Sequence, residues 1–128
     1  MLDALAVFVG GGAGSVARWL ISLVPFGSTA DAGFPVATFI TNVIGAFCIG
    51  VIVGLAVPAS LPPKTTLLLK TGFCGGFTTF STFALEASGL FERGNWFVGG
   101  GYVLLSLMLG VLACFAGQLV AGGLCPRV

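Results

Sequence analysis

The feature that most constrains this chain is a twelve-residue stretch, Gly72-Phe73-Cys74-Gly75-Gly76-Phe77-Thr78-Thr79-Phe80-Ser81-Thr82-Phe83. It lies in the middle of an apolar run, from about Thr65 to Leu90, that is long enough to cross a bilayer. A helix facing lipid has no use for three glycines and four hydroxyl residues at its centre. Each glycine weakens a helix by roughly 1 kcal/mol relative to alanine. Backbone that leaves the helix at membrane depth is tolerated only where it is buried in protein or lines a cavity. The composition therefore predicts a helix that breaks near Gly75-Gly76 and resumes around Thr79. Such a break frees carbonyl oxygens and helix ends, the groups that bind ions inside membranes. An ion pathway centred on the break is the first functional expectation.

The rest of the composition agrees. Of 128 residues, 57% are hydrophobic and 7% charged, against about 25% charged in soluble domains. Mean hydropathy is +1.14. One integral membrane domain, residues 1–128, is expected, with spans at about 2–24, 34–57, 65–90 and 96–122. A net charge of +1 suggests no nucleic-acid partner. No histidine is present, which removes the commonest general base and metal ligand. Cys48, Cys74, Cys114 and Cys125 form no C-x-x-C pair and read as small packing residues. No activated nucleophile or metal-ligand spacing stands out, so no enzyme is expected.

Taken in order, the first run opens with Asp3 rather than a basic segment and is too long for a signal peptide. Gly10 and Gly14 form a G-x-x-x-G pair suited to close helix approach. Arg18, roughly a turn and a half from the end of that span, either snorkels to the interface or forms a cationic vestibule that concentrates anions. In the second run Thr38 and Asn42 are i,i+4 neighbours, and Gly45 clears space beside the amide. Asn42 at mid-span is either helix-to-helix glue or a pore-lining donor. Gly50 and Gly54 form a second close-packing pair. The third run carries Lys70 near its start, where snorkelling is expected, and Glu86 near its end, an intramembrane ionisable group. The fourth opens with aromatic anchors Trp96 and Phe97 and places Tyr102 and Ser106 on one face.

Four spans put both termini on one side of the membrane. Lys64, Lys70 and Arg127 on that side nearly balance Arg93 and Arg18 on the other, so the positive-inside rule selects no orientation. Insertion in both orientations is expected, and with it an antiparallel homodimer about a two-fold axis in the membrane plane.

Phe80 and Phe83 are three residues apart and share a helix face. An aromatic ring has a positive edge, so two rings presented edge-on can hold an anion without a fixed charge. Thr79, Ser81 and Thr82 alternate with them and bring hydroxyl donors. Such a strip replaces the water donors of a small hydrated anion while leaving binding weak enough for conduction.

These residues resemble the CrcB/Fluc family of fluoride ion channels. The resemblance covers nearly the whole chain, and Gly72 to Phe83 fits the family signature throughout. Gly10, Gly11, Gly14 and Arg18 fit the first-span pattern, with Ser15 where alanine is usual. Thr38, Asn42 and Gly45 fit the second, with Ala37 replacing a glycine. Tyr102 and Ser106 fit the fourth. The resemblance implies an all-α, dual-topology antiparallel homodimer in a bacterial plasma membrane, with two pores and passive fluoride export that protects the cell. It implies aromatic anion sites at Phe80 and Phe83, donors to the ion at Asn42 and Ser106, and a polar track through Thr79, Ser81, Thr82 and Tyr102. Arg18 would line a vestibule. A structural Na+ on the dimer axis would be held by the backbone carbonyls of Gly75 and Thr78. Two other readings stand beside it: a proton-coupled small-ion or drug transporter working through Glu86, and a structural subunit of a larger membrane complex.

Overall fold

A computed structural model describes residues 2–26, 33–56 and 61–124. The expected loop residue Asp31, and Cys125 and Arg127 near the end, lie outside the described residues. Among the described residues all regular structure is helical. Three helices are long and apolar enough to cross a membrane: α1 (Leu2–Ser22), α2 (Val36–Ala56) and α6 (Trp96–Leu124). The chain is a multi-pass membrane protein. Its outward faces agree, with Phe8, Leu85, Phe97 and Leu119 all exposed and suited to lipid rather than water.

The run between α2 and α6 is not one helix. It starts as α3 (Pro63–Thr66), where Pro63 sits in the first turn, a position at which a missing N–H costs nothing. It widens into a π-helical segment (Leu67–Cys74) and tightens into a short α4 (Gly75–Phe77). Thr78 and Thr79 then leave the helix with extended backbone, φ −79°, ψ 156° and φ −149°, ψ 112°. Helix resumes as α5 (Phe80–Glu92). The break therefore falls at Thr78-Thr79, not at Gly75-Gly76 as the glycines suggested. The physical reason is that Gly76 is consumed by packing. A Cβ there would strike the Gly11 carbonyl oxygen of α1, so this glycine lets two helices touch and stays helical itself.

The same device joins the rest of α1 to this stretch. A side chain on Gly10 would meet the Leu68 carbonyl oxygen, and one on Gly14 the Phe73 carbonyl oxygen. The α2–α6 seam is built alike: Gly50 lies against the Cys114 carbonyl, Gly117 against the Phe47 carbonyl, and Gly54 against Ala121 Cβ. Both G-x-x-x-G pairs thus work as close-approach positions.

Helix α5 is anchored at both ends. Thr79 Oγ1 accepts from the Thr82 N–H at 3.2 Å, an N-cap. At the other end Gly94, with φ +76°, lets its own N–H reach the Phe91 carbonyl (3.0 Å) and the Asn95 N–H reach the Leu90 carbonyl (2.9 Å). This is a Schellman cap, in which the left-handed position favours glycine. Between the ends, Ala87 and Leu90 bury against Tyr102 of α6, flanked by Phe34, Phe39, Phe83 and Phe91. That cluster fixes α5 against α6.

Candidate functional site

The break opens into a cavity of about 640 Å³. Asn42, Gly45, Ala46 and Ile49 of α2 line one wall, and Val103, Ser106 and Leu107 of α6 line another. The interrupted stretch supplies the rest: Lys70, Cys74, Gly75, Thr78, Thr79, Phe80 and Phe83. Five residues singled out for an anion pathway thus meet at one place: Asn42, Thr79, Phe80, Phe83 and Ser106. Gly75 and Thr78, singled out for a cation, line the same space. Ser81, Thr82 and Tyr102 do not line it but stand beside it, and Arg18 lies on α1, away from it.

The two rings lie 5.7 Å apart, tilted by 41°. Phe80 is 81% exposed, whereas Phe83 is half-buried and leans on Tyr102 at 5.1 Å. One ring is thus fixed in the core and the other stands at the open face.

The donors differ in how far they are already used. Ser106 Oγ is buried and has no hydrogen-bond partner among the described residues. A serine inside a helix usually bonds back to a carbonyl one turn earlier, and a buried hydroxyl without a partner costs about 1–3 kcal/mol. Here the hydroxyl makes no such bond, and the residue that carries it lines the cavity. Asn42 is partly committed: Oδ1 accepts from the Thr79 N–H at 2.8 Å, and Nδ2 donates to the Thr79 carbonyl at 3.2 Å. One of its two amide hydrogens remains. Thr79 Oγ1 donates to Thr82 Oγ1 at 3.0 Å and lies 3.4 Å from Ser81 Oγ. These hydroxyls form a short chain leading away from the break along α5.

One turn beyond Thr82 on α5 stands Glu86, the residue through which a coupled transporter would work. Glu86 accepts from Thr38 Oγ1 at 2.9 Å and from Tyr102 Oη at 2.8 Å. Each carboxylate oxygen has its own hydroxyl donor, so the group is satisfied inside the helical core. The signal was present in the spacing: Glu86 follows Thr82 by four residues and Phe83 by three, hence shares their face. What the spacing lacked was the pairing across helices. Lys70 is likewise clarified. It is exposed and shares the lining of the cavity with Phe80 and Phe83. Arg18 is half-buried, and its Nε has no partner among the described residues.

The carbonyls at the break suit a hard cation in kind, since they are neutral oxygen donors. The Thr79 N–H, which a continuing helix would give to the Gly75 carbonyl, is taken by Asn42. Gly75 is exposed, with nothing within 4 Å of where its side chain would be. The fit in number is incomplete in one chain, because such ions take about six to eight oxygens or, when small, an octahedral six.

A model of the family described as CrcB-like protein, Camphor Resistance (CrcB), matches residues 5–118. The chain is 50% identical over 123 residues to the fluoride-specific ion channel FluC of Chlorobaculum tepidum, covering 94% of this chain and 95% of that protein. It is 41% identical over 121 residues to the FluC of Gloeothece citriformis, covering 91% and 94%. It is 47% identical over 104 residues to FluC 1 of Yersinia pseudotuberculosis, covering 80% of each. With a match running from the first helix to the last, and with the broken stretch and its cavity inside it, this chain belongs to the CrcB family.

Proposed function

We propose that the chain is a fluoride-selective channel that lets the anion leave the cell down its electrochemical gradient. The observation that carries this reading is the cavity at the break, whose lining brings together the Phe80–Phe83 pair, Ser106 with its hydroxyl unpartnered among the described residues, and Asn42 with its amide half-committed. Relatives named as fluoride-specific ion channels support the choice of ion. Ring edges and neutral donors replace the water of a small anion without a fixed cation to trap it. Lys70 at the cavity raises the local anion concentration. A negative-inside potential drives the anion outward by about 2.3 kcal/mol per 100 mV, so no energy-coupling step is required and no catalytic group is involved.

The working unit is an antiparallel homodimer. The exposed ring of Phe80 and the bare Gly75 position are surfaces that a second copy would cover, and two copies would double the carbonyls available to one cation. Gly75 and Thr78 would then hold a structural Na+, which would tie the two breaks together by charge and not be transported. Ser81, Thr82 and Tyr102 extend the anion track beyond Phe83, and Arg18 serves a vestibule.

Fluoride efflux from liposomes containing only the purified protein tests this reading. A fluoride electrode reads release, valinomycin sets the potential, and chloride release is followed in parallel. Fluoride release without chloride release, indifferent to an imposed pH gradient, is expected. Phe80→Ile should abolish it while leaving the oligomer intact. Release only under a proton gradient, lost in Glu86→Gln, would move the assignment to coupled transport. No release at all would favour a structural subunit.

A further inference from the structure

We propose that Asn42 is the positioning residue that creates the helix break, in addition to any contact it makes with the ion. The inference rests on the channel reading for its functional consequence, but its geometry stands without it. Thr79 can only donate through its N–H and only accept through its carbonyl, so the amide orientation at Asn42 is dictated: Oδ1 receives the N–H at 2.8 Å and Nδ2 serves the carbonyl at 3.2 Å. This is the paired exchange that a residue on a neighbouring β-strand would make. It matches the extended backbone at Thr79, φ −149° and ψ 112°. One side chain from α2 thus stands in for a strand partner at a single residue.

Three effects follow from that pair of bonds. First, the Gly75 carbonyl loses the N–H that would satisfy it in a continuing helix, so the break and the free carbonyl have one cause. Second, Thr79 is held where its hydroxyl caps α5 through the Thr82 N–H. The cap places Phe80 at the first position of that helix and Phe83 one turn later, so the rings take their positions from Asn42. Third, the one amide hydrogen left over belongs to a group already fixed at the cavity wall. Gly45 supports the arrangement, because a side chain there would strike Thr78 Cγ2 and push the break away from α2.

The experiment separates the clamp from an ion contact. An amide-to-ester replacement at the Thr79 nitrogen, introduced by semisynthesis into the full chain, deletes the N–H and leaves Asn42 untouched. It is compared with Asn42→Ala by liposome fluoride efflux and by deuterium uptake over residues 80–83. Both changes should slow efflux by about tenfold or more, the scale of one or two hydrogen bonds, and both should raise uptake at the start of α5. Loss of efflux in Asn42→Ala with normal efflux and normal uptake in the ester would overturn the proposal, leaving Asn42 as an ion contact only. Should the ester fail to assemble, uptake in Asn42→Ala decides alone, since a pure ion contact leaves it unchanged. Should the unmodified protein release no fluoride, the channel reading fails while uptake still tests the clamp.

Discussion

The α2–α6 seam and the α1 face of the interrupted stretch are built from the same parts and end differently. In both, glycines lie directly on carbonyl groups of the neighbouring helix: Gly50 and Gly117 in the seam, Gly10, Gly14 and Gly76 on the other side. Yet α6 carries Gly99-Gly100-Gly101 and continues unbroken to Leu124, while the third run stops being helical at Thr78. Glycine content therefore does not decide where a membrane helix breaks. An N–H leaves the ladder only where another acceptor is offered, because an unsatisfied backbone group in hydrocarbon costs several kcal/mol. Beside Thr79 that acceptor is Asn42.

The comparison can be broken most sharply by filling matched glycines. Gly117→Val in the seam and Gly76→Val at the α1 crossing both drive a side chain into backbone. Each should lower stability in detergent by about 3 kcal/mol, read from tryptophan fluorescence during unfolding. A much smaller loss at Gly76 would mean that the interrupted stretch yields where the seam does not.

A smaller effect probes the polar side of the contrast. Tyr102→Phe removes one of the two donors to Glu86 and should cost about 1–3 kcal/mol. Unfolding at the wild-type denaturant midpoint would show that water replaces the hydroxyl at no cost, and that this core is wetter than the seam.

Gly94→Ala places a Cβ at φ +76° and should cost roughly 1–2 kcal/mol, with fluoride efflux little changed because the cap is far from the cavity. A large loss of efflux would tie the far end of α5 to the pathway.

Smallest of all, Gly75→Ala meets nothing within 4 Å, and the stability of the single chain should stay within about 0.5 kcal/mol. If a second copy covers this position, the same change weakens self-association, measured by the concentration dependence of fluorescence energy transfer in liposomes. Unchanged association would place the partner surface elsewhere.

Much of this was legible in the residues because the bilayer leaves few options. Apolar runs of spanning length had to become helices, and the glycine pairs had to be contact points. Phe80, Phe83 and Asn42 stood out by type and spacing, Ser106 as a donor only through the family resemblance, and all four share a cavity. What spacing within one helix could not supply was any pairing between helices. Glu86 could be placed on a helix face but not given Thr38 and Tyr102 as donors. Lys70 was expected to reach the interface, and its place on the cavity wall depends on how the π-helical segment turns it.

The sequence by itself determined that this chain lives in a membrane, that its third run could not be an ordinary span, and that hydroxyls and ring edges would gather there. Those conclusions follow from local composition and from the cost of polar backbone in lipid. Only the tertiary structure decided that the glycines stay helical and that the break falls at Thr78-Thr79. The reason is that a helix ends where its hydrogen bonds find other partners, and the partner that matters, Asn42, comes from a different helix.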